Sequence, residues 1–169
     1  TSLLLVNRGF TDADLTEKFF SASVENLHSP FLLADMDKAA DCLATGVMDG
    51  SSICISGDYD VDGITATVLL VSFIRQVGGT VKYHIPNRLV DGYGLHCPAL
   101  QKMASSGIKI VVTVDCGTNS FEEAKFAKNL GLQLIISDHH EIHGQLPDAI
   151  AVINPKRKDQ QFPDQTLSG

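Results

Sequence analysis

The sequence predicts an α/β fold: a three-layer, Rossmann-like parallel sheet of about five strands, preceded by two N-terminal helices. Three observations lead there. Short β-prone runs are apolar almost throughout rather than alternating, which marks strands covered on both faces. Helical segments separate the first four runs, as parallel crossovers require. Glycines stand where those helices end, at Gly78–Gly79, Gly107 and Gly131, where a left-handed exit residue is needed.

The elements follow in order. Thr11, with Asp14 three residues on, resembles a cap opening a helix that runs to about Val24, and Pro30 closes that neighbourhood. Asp35 caps a second helix, with Met36, Ala39, Ala40, Leu43 and Val47 at helical spacing. From residue 51 the pattern changes to "SSICIS" (51–56), "TVKYHI" (80–85), "IKIVVTV" (108–114), "LQLIIS" (132–137) and "AIAVI" (149–153). Helices are expected over 64–77, about 96–106 and 120–130. The expected division is a helical segment over 1–50 and a sheet domain over 51–169. With 169 residues, 44% of them hydrophobic, the chain can bury one full core. The opening Thr and the closing Gly read as the ends of a piece cut from a longer chain.

No apolar stretch approaches the ~20 residues of a membrane span, and no basic-plus-apolar leader opens the sequence. Neither membrane attachment nor export is expected. Cys42, Cys54, Cys97 and Cys116 lack C-x-x-C spacing and read as small buried hydrophobes in a reducing cytoplasm. The formal charge of −7 argues against a general electrostatic grip on nucleic acid, unless acidic residues converge on cations and reverse the local sign.

In an open parallel sheet the functional crevice lies beyond the carboxyl ends of the strands. The segments that follow the five runs are "GDYDVDG", "PNRLVDGYG", "DCGTN", "DHHE" and "NPKRK". Polar chemistry is thus gathered at one edge. Asp58, Asp60, Asp62 and Gly63 match the start of an EF-hand loop, but its twelfth position is Leu69 instead of Glu, and a strand rather than a helix precedes it. Three aspartates in five residues still favour a metal site over a solvated turn. Asp115 joins them by position, and Asn119 or Ser120 caps the next helix. Cys116 has no histidine beside it in sequence and is not a nucleophile on this reading. Asp138, His139 and His140 combine carboxylate and imidazole, a ligand set for zinc, manganese or iron. His143 reads as a surface residue. Asn87, Arg88 and the glycine-flanked Tyr93 form a loop suited to a phosphate, or else an ordinary loop with a surface arginine. "NPKRK" (154–158) reads as a solvated basic tail in preference to a source of charge near the substrate. No P-loop, dinucleotide fingerprint or nucleophile elbow is present.

"GDYDVDGITAT", "IPNRLVDGYGLH", "VTVDCGTN" and "SDHHE", in this order and spacing, resemble the motifs of the DHH phosphoesterase superfamily. The D-Y-D-V-D-G form is similar to its RecJ-like branch of single-strand-specific 5′→3′ exonucleases, and "NRGF" and "VINPK" fit the same branch. The resemblance implies that 51–169 is the front of a DHH catalytic domain holding two divalent cations, manganese or magnesium. It implies Asp60, Asp62, Asp115 and His139 as metal ligands, with Asp58 in or beside the shell. His140 would face the scissile phosphate and Asp138 would orient a histidine. A further metal-binding aspartate, a DHH-associated domain and an OB-like domain would lie outside the chain. The expected activity is hydrolysis of single-stranded DNA in repair and recombination, with a single-strand-binding protein or a helicase as possible partner. A phosphoesterase of small substrates and a non-catalytic replication scaffold are the alternatives.

Overall fold

The five apolar runs form one parallel sheet in the order β2-β1-β3-β4-β5. The computed structural model describes residues 2–21 and 23–168; Thr1, Ala22 and Gly169 lie outside it. The strands are β1 (Ser52–Gly57), β2 (Thr80–His84), β3 (Ile110–Val114), β4 (Gln133–Ser137) and β5 (Ala151–Ile153). In register, Ile55 of β1 lies between Tyr83 of β2 and Val112 of β3, and Val112 in turn pairs with Ile135 of β4.

Period-two alternation divides the core between the two sheet faces. One face carries Ile53, Ile55, Ile110, Val112, Val114, Ile135, Ala151 and Ile153, beneath Ala39 of α3 (Met36–Met48) and Val71 and Ile74 of α4 (Val61–Gln76). The other carries Cys54, Val111, Leu134, Ile136 and Val152. They lie beneath Leu100 and Met103 of α5 (Cys97–Ser105) and Ala124 and Ala127 of α6 (Phe121–Asn129). Strands with two apolar faces need both layers, which is why the central ones read as continuous apolar runs. β2, at the sheet edge, is largely exposed.

The N-terminal region departs from expectation. The helix expected from Thr11 is α2 (Ala13–Phe20), capped by Asp12, whose carboxylate accepts from the Asp14 and Leu15 amides. Ala22, within the run expected to reach Val24, lies outside the described residues. An additional helix, α1 (Ser2–Asn7), precedes it. Asp35 stands before α3 as expected, but in the left-handed region (φ 63°) and without a capping bond from its side chain. That side chain is used elsewhere. Arg157 pairs with it at 2.5 Å and also bonds the Val152 carbonyl and Asp159.

Here the tail reading of "NPKRK" is corrected. Asn154 and Arg157 are buried, because Arg157 staples the approach to α3 onto β5. Its guanidinium satisfies three acceptors at once, as a planar fork with fixed donors can. Burial by itself would raise the Asp35 pKa. Hydrogen bonds from Lys38, Arg157 and the Val152 amide outweigh it and hold the carboxyl down at about 2.

The sign of the pH effect follows from that depression. Stability from the Asp35 contacts is complete above the ordinary carboxyl value of 3.8 and is lost as pH falls toward about 2. Arg157→Met should lower stability by on the order of 1–2 kcal/mol at neutral pH, because it removes the charged hydrogen bonds to Asp35 and the Val152 carbonyl while Lys38 and the Val152 amide still hold Asp35. The variant's acid-unfolding profile should also be flatter than wild type between about pH 4 and pH 2. Urea melts across that range check both.

Candidate metal centre

The chain visits β2 on one side of β1 and then crosses to β3 on the other, so the strand order reverses between β1 and β3. Crevices for ligands open at such reversals, at the strands' carboxyl ends. The loops after β1, β3 and β4 supply the acidic and imidazole groups found there.

After β1 the chain turns directly into α4. A Cβ on Gly63 would lie 2.4 Å from the Asp58 amide nitrogen and 2.5 Å from its carbonyl oxygen, so only glycine lets the helix start so close to the strand end. Asp60 is the helix cap, its Oδ1 accepting from Asp62 N at 3.0 Å and Gly63 N at 3.2 Å. The helix therefore begins at Val61, three residues before the expected start, and Asp62 lies inside its first turn.

After β3, Asp115 adopts φ 62°, a conformation uncommon for any residue but glycine and best tolerated by Asn and Asp. Two neighbours secure it: its amide bonds the Ser137 carbonyl of β4, and its own carbonyl accepts the Tyr93 hydroxyl at 3.0 Å. After β4, Asp138 is buried and accepts at Oδ1 from the amides of His139 (2.8 Å) and His140 (3.2 Å) and from the His140 ring Nδ1 (2.7 Å).

Two overlapping clusters result, each with ligand-type atoms within 4.8 Å of one another: Asp58, Asp60 and Asp115, and Asp115, His139 and His140. Asp115 belongs to both. Its carboxyl pKa is pushed up to about 6 by burial, with Asp60 adding to the rise through a shared hydrogen bond and like charge. Asp60 moves the other way, held low chiefly by the Gly63 amide. Among the described residues, two buried carboxylate oxygens, Asp58 Oδ1 and Asp115 Oδ1, have no hydrogen-bond partner. His139 Nε2 lies 3.1 Å from Asp115 Oδ1 but outside hydrogen-bond geometry. Unpartnered buried carboxylate oxygens grouped with a third carboxylate and two imidazoles suit divalent cations, and a hard or borderline ion satisfies this donor set.

Each expected site residue can now be located. Asp58, Asp60, Asp115, His139 and His140 come together, while Asp62 lies outside both clusters. His140, expected to face substrate, is also within reach of a shared ligand. Its Nδ1 is engaged by Asp138, and its Nε2 lies beside the Tyr93 hydroxyl. Burial would raise the Asp138 pKa, but hydrogen bonds from the His140 ring and from Thr118 hold it lower, so the carboxylate stays charged. Tyr93 turns inward, its hydroxyl 3.3 Å from the His140 ring nitrogens. The Asn87 side-chain oxygen accepts the Leu89 amide within its own loop. Arg88 lies over the Tyr59 ring at 5.2 Å, with Tyr59 edge-on to Tyr93. Cys116 is fully buried and its thiol is pushed up by burial, consistent with an inert side chain.

Sequence reasoning missed Thr118 and gave Asn119 and Asn154 other roles. Of the two candidates for the cap position of α6, Ser120 occupies it and Asn119 does not. The Asn119 side chain bonds Glu141 O at 2.8 Å and His143 N at 2.9 Å, tying the β3 loop to the β4 loop. Thr118 N donates to Asp138 Oδ2 at 2.9 Å, and Asn154 joins the same network. The signal for Asn154 was its place immediately after β5, at the edge where the other polar groups collect.

A family model described as "DHH family, N-terminal domain" matches residues 52–169. Among curated proteins, the single-stranded-DNA-specific exonuclease RecJ of Bacillus subtilis is 36% identical over 98% of this chain and 21% of its own length. The protein of the same name from Escherichia coli is 35% identical over 98% of this chain and 28% of its own length. The chain thus spans between about a fifth and about three tenths of these relatives. Among solved structures, exonuclease RecJ bound to manganese aligns with a TM-score of 0.72 and 28% identity, over 79% of this chain and 34% of that one.

The crowding of carboxylates makes a prediction about stability. Asp115→Asn keeps a residue suited to positive φ and removes one of the converging charges. Its metal-free Tm at about pH 8, where the wild-type group is ionised, should equal or exceed that of wild type. Manganese at about a hundred times its Kd should stabilise wild type by about 2.7 kcal/mol and leave the variant unmoved. Thermal melts with chelator and with Mn²⁺ check this. A lower metal-free Tm in the variant would refute the repulsion account.

Proposed function

The chain belongs to the DHH family, and from that premise we propose that it carries the metal centre of a phosphodiester-hydrolysing enzyme acting on single-stranded DNA. The observation that carries this reading is the pair of unpartnered buried oxygens on Asp58 and Asp115, facing Asp60, His139 and His140. Asp58, Asp60, Asp115 and His139 would hold two divalent cations, manganese or magnesium, with Asp115 shared, and Asp62 would lie at the margin. When bound, such cations neutralise the phosphodiester charge and make a water nucleophilic near neutral pH.

The remaining residues position these groups. Asp138, kept ionised, holds the proton of His140 on Nδ1 and leaves Nε2 to face substrate or a shared cation. The Tyr93 hydroxyl fixes the Asp115 backbone in its unfavourable conformation. Arg88, with its guanidinium over Tyr59 beside the centre, is the proposed phosphate contact. Asn87 shapes the loop that presents it.

Single-stranded DNA as substrate rests on the names of the relatives; a place in repair and recombination, and work alongside a single-strand-binding protein or a helicase, are part of this proposal. A cytoplasmic setting fits four cysteines without a disulfide among the described residues, and no described helix is long and apolar enough to cross a membrane.

The test is Mn²⁺-dependent release of mononucleotides from 5′-phosphorylated single strands, compared with duplexes and with short oligoribonucleotides. Single strands should be degraded at least ~10-fold faster than duplex, chelator should abolish the reaction, and Asp60→Ala or His139→Ala should reduce kcat by ~100-fold or more. Hydrolysis confined to oligoribonucleotides would replace this reading with a small-substrate phosphoesterase. Absence of Mn²⁺ binding by the folded protein would overturn it altogether.

A further inference from the structure

Asn154 is an uncharged residue that reaches the centre only through the His140 carbonyl, yet both of its amide protons and its oxygen are engaged. It is 1% exposed. Its Nδ2 donates to Thr118 Oγ1 at 2.9 Å and to the His140 carbonyl at 3.0 Å, while its Oδ1 accepts the Lys156 amide at 2.8 Å. Thr118, also 1% exposed, donates its amide to Asp138 Oδ2, and its hydroxyl further stabilises the Asp138 charge. Asp138 Oδ1 holds both the amide and the ring Nδ1 of His140. The bonds close a ring: Asn154 to Thr118, Thr118 to Asp138, Asp138 to His140, and His140 back to Asn154.

We propose that Asn154 is a positioning residue that fixes the orientation and protonated nitrogen of His140 through Thr118 and Asp138. The role rests on the metal-centre reading given above. Three strand ends are locked together by this ring: β3 through Thr118, β4 through Asp138 and His140, and β5 through Asn154. His140 is gripped on its amide, its carbonyl and one ring nitrogen, which leaves its side chain, itself about half exposed, a single arrangement. Only an amide fits this place. Aspartate would set an acceptor against the His140 carbonyl and a second charge near Asp138, and glutamine is one carbon too long to keep all three bonds.

Histidine-labelled, metal-free protein tests this by long-range ¹H–¹⁵N spectra at about pH 8, where an ordinary imidazole is neutral. The His140 signal is identified by its loss in His140→Gln. Wild type should show His140 protonated on Nδ1. Asn154→Ala and Thr118→Val should each mix the two tautomers, while Thr118→Ser, which keeps the hydroxyl, should restore the wild-type pattern. Calorimetric Mn²⁺ affinity should fall by about 10–100-fold in the first two variants and stay within ~3-fold in the third. If Asn154→Ala does not fold by circular dichroism, the Thr118 pair decides. An unchanged tautomer and affinity in the folded variants would overturn the proposal. The tautomer is read without metal, so a wild type that binds no manganese would sink the proposed function and still leave this ring to be judged.

Discussion

Parallel strands β1 and β3 end side by side, and each is followed at once by an aspartate. Asp58 and Asp115 are therefore driven into one buried space, where Asp60 joins them across the cap of α4. Like charges at this distance oppose one another, and burial adds to the cost of ionisation. The rise of the Asp115 pKa to about 6 is the record of that opposition. Much of the surrounding structure serves to sustain it: Gly63 lets α4 approach, Tyr93 restrains the Asp115 backbone, and the Ser137 carbonyl holds its amide.

The second half of the site is built by a different means. Asp138 is buried like the other two, but its oxygens are satisfied by hydrogen bonds rather than left open. Two aspartates with unpartnered oxygens suit a cation, and one with both oxygens engaged orients a histidine. The division of labour among chemically identical side chains is set by the donors around each. The protein carries a net charge of −7, so attraction of a polyanion to this edge requires the local reversal of sign that bound cations bring.

Outside the site, the apolar layers fix where the strands end. The core residues of β1, β3 and β4 alternate between two helix layers, and a slip of one residue would move every one of them to the opposite face. Packing on both faces therefore locks the register that aligns Gly57 with Val114 and Val114 with Ser137. The loops leave from that common level. Arg157 adds a further tie, joining α3 to β5 at the far side of the sheet.

The sequence by itself determined the α/β class, the five strands and the gathering of Asp58, Asp60, Asp115, His139 and His140 at one edge. The periodicity of each strand and helix is written in local apolar patterns, and the polar groups sit at the ends of those patterns. Tertiary structure alone decided which residue does what. Asp62 turns into the first turn of α4 because Asp60, two residues earlier, caps the helix. Asn119 clamps a loop in place of capping a helix. Asn154 and Arg157, which read as part of a solvated tail, are buried because β5 docks against β4 and draws them under the loops. In each case the role depends on a partner distant in the chain, and a hydrogen bond across 36 residues to Thr118 or 122 to Asp35 leaves no trace in the local pattern.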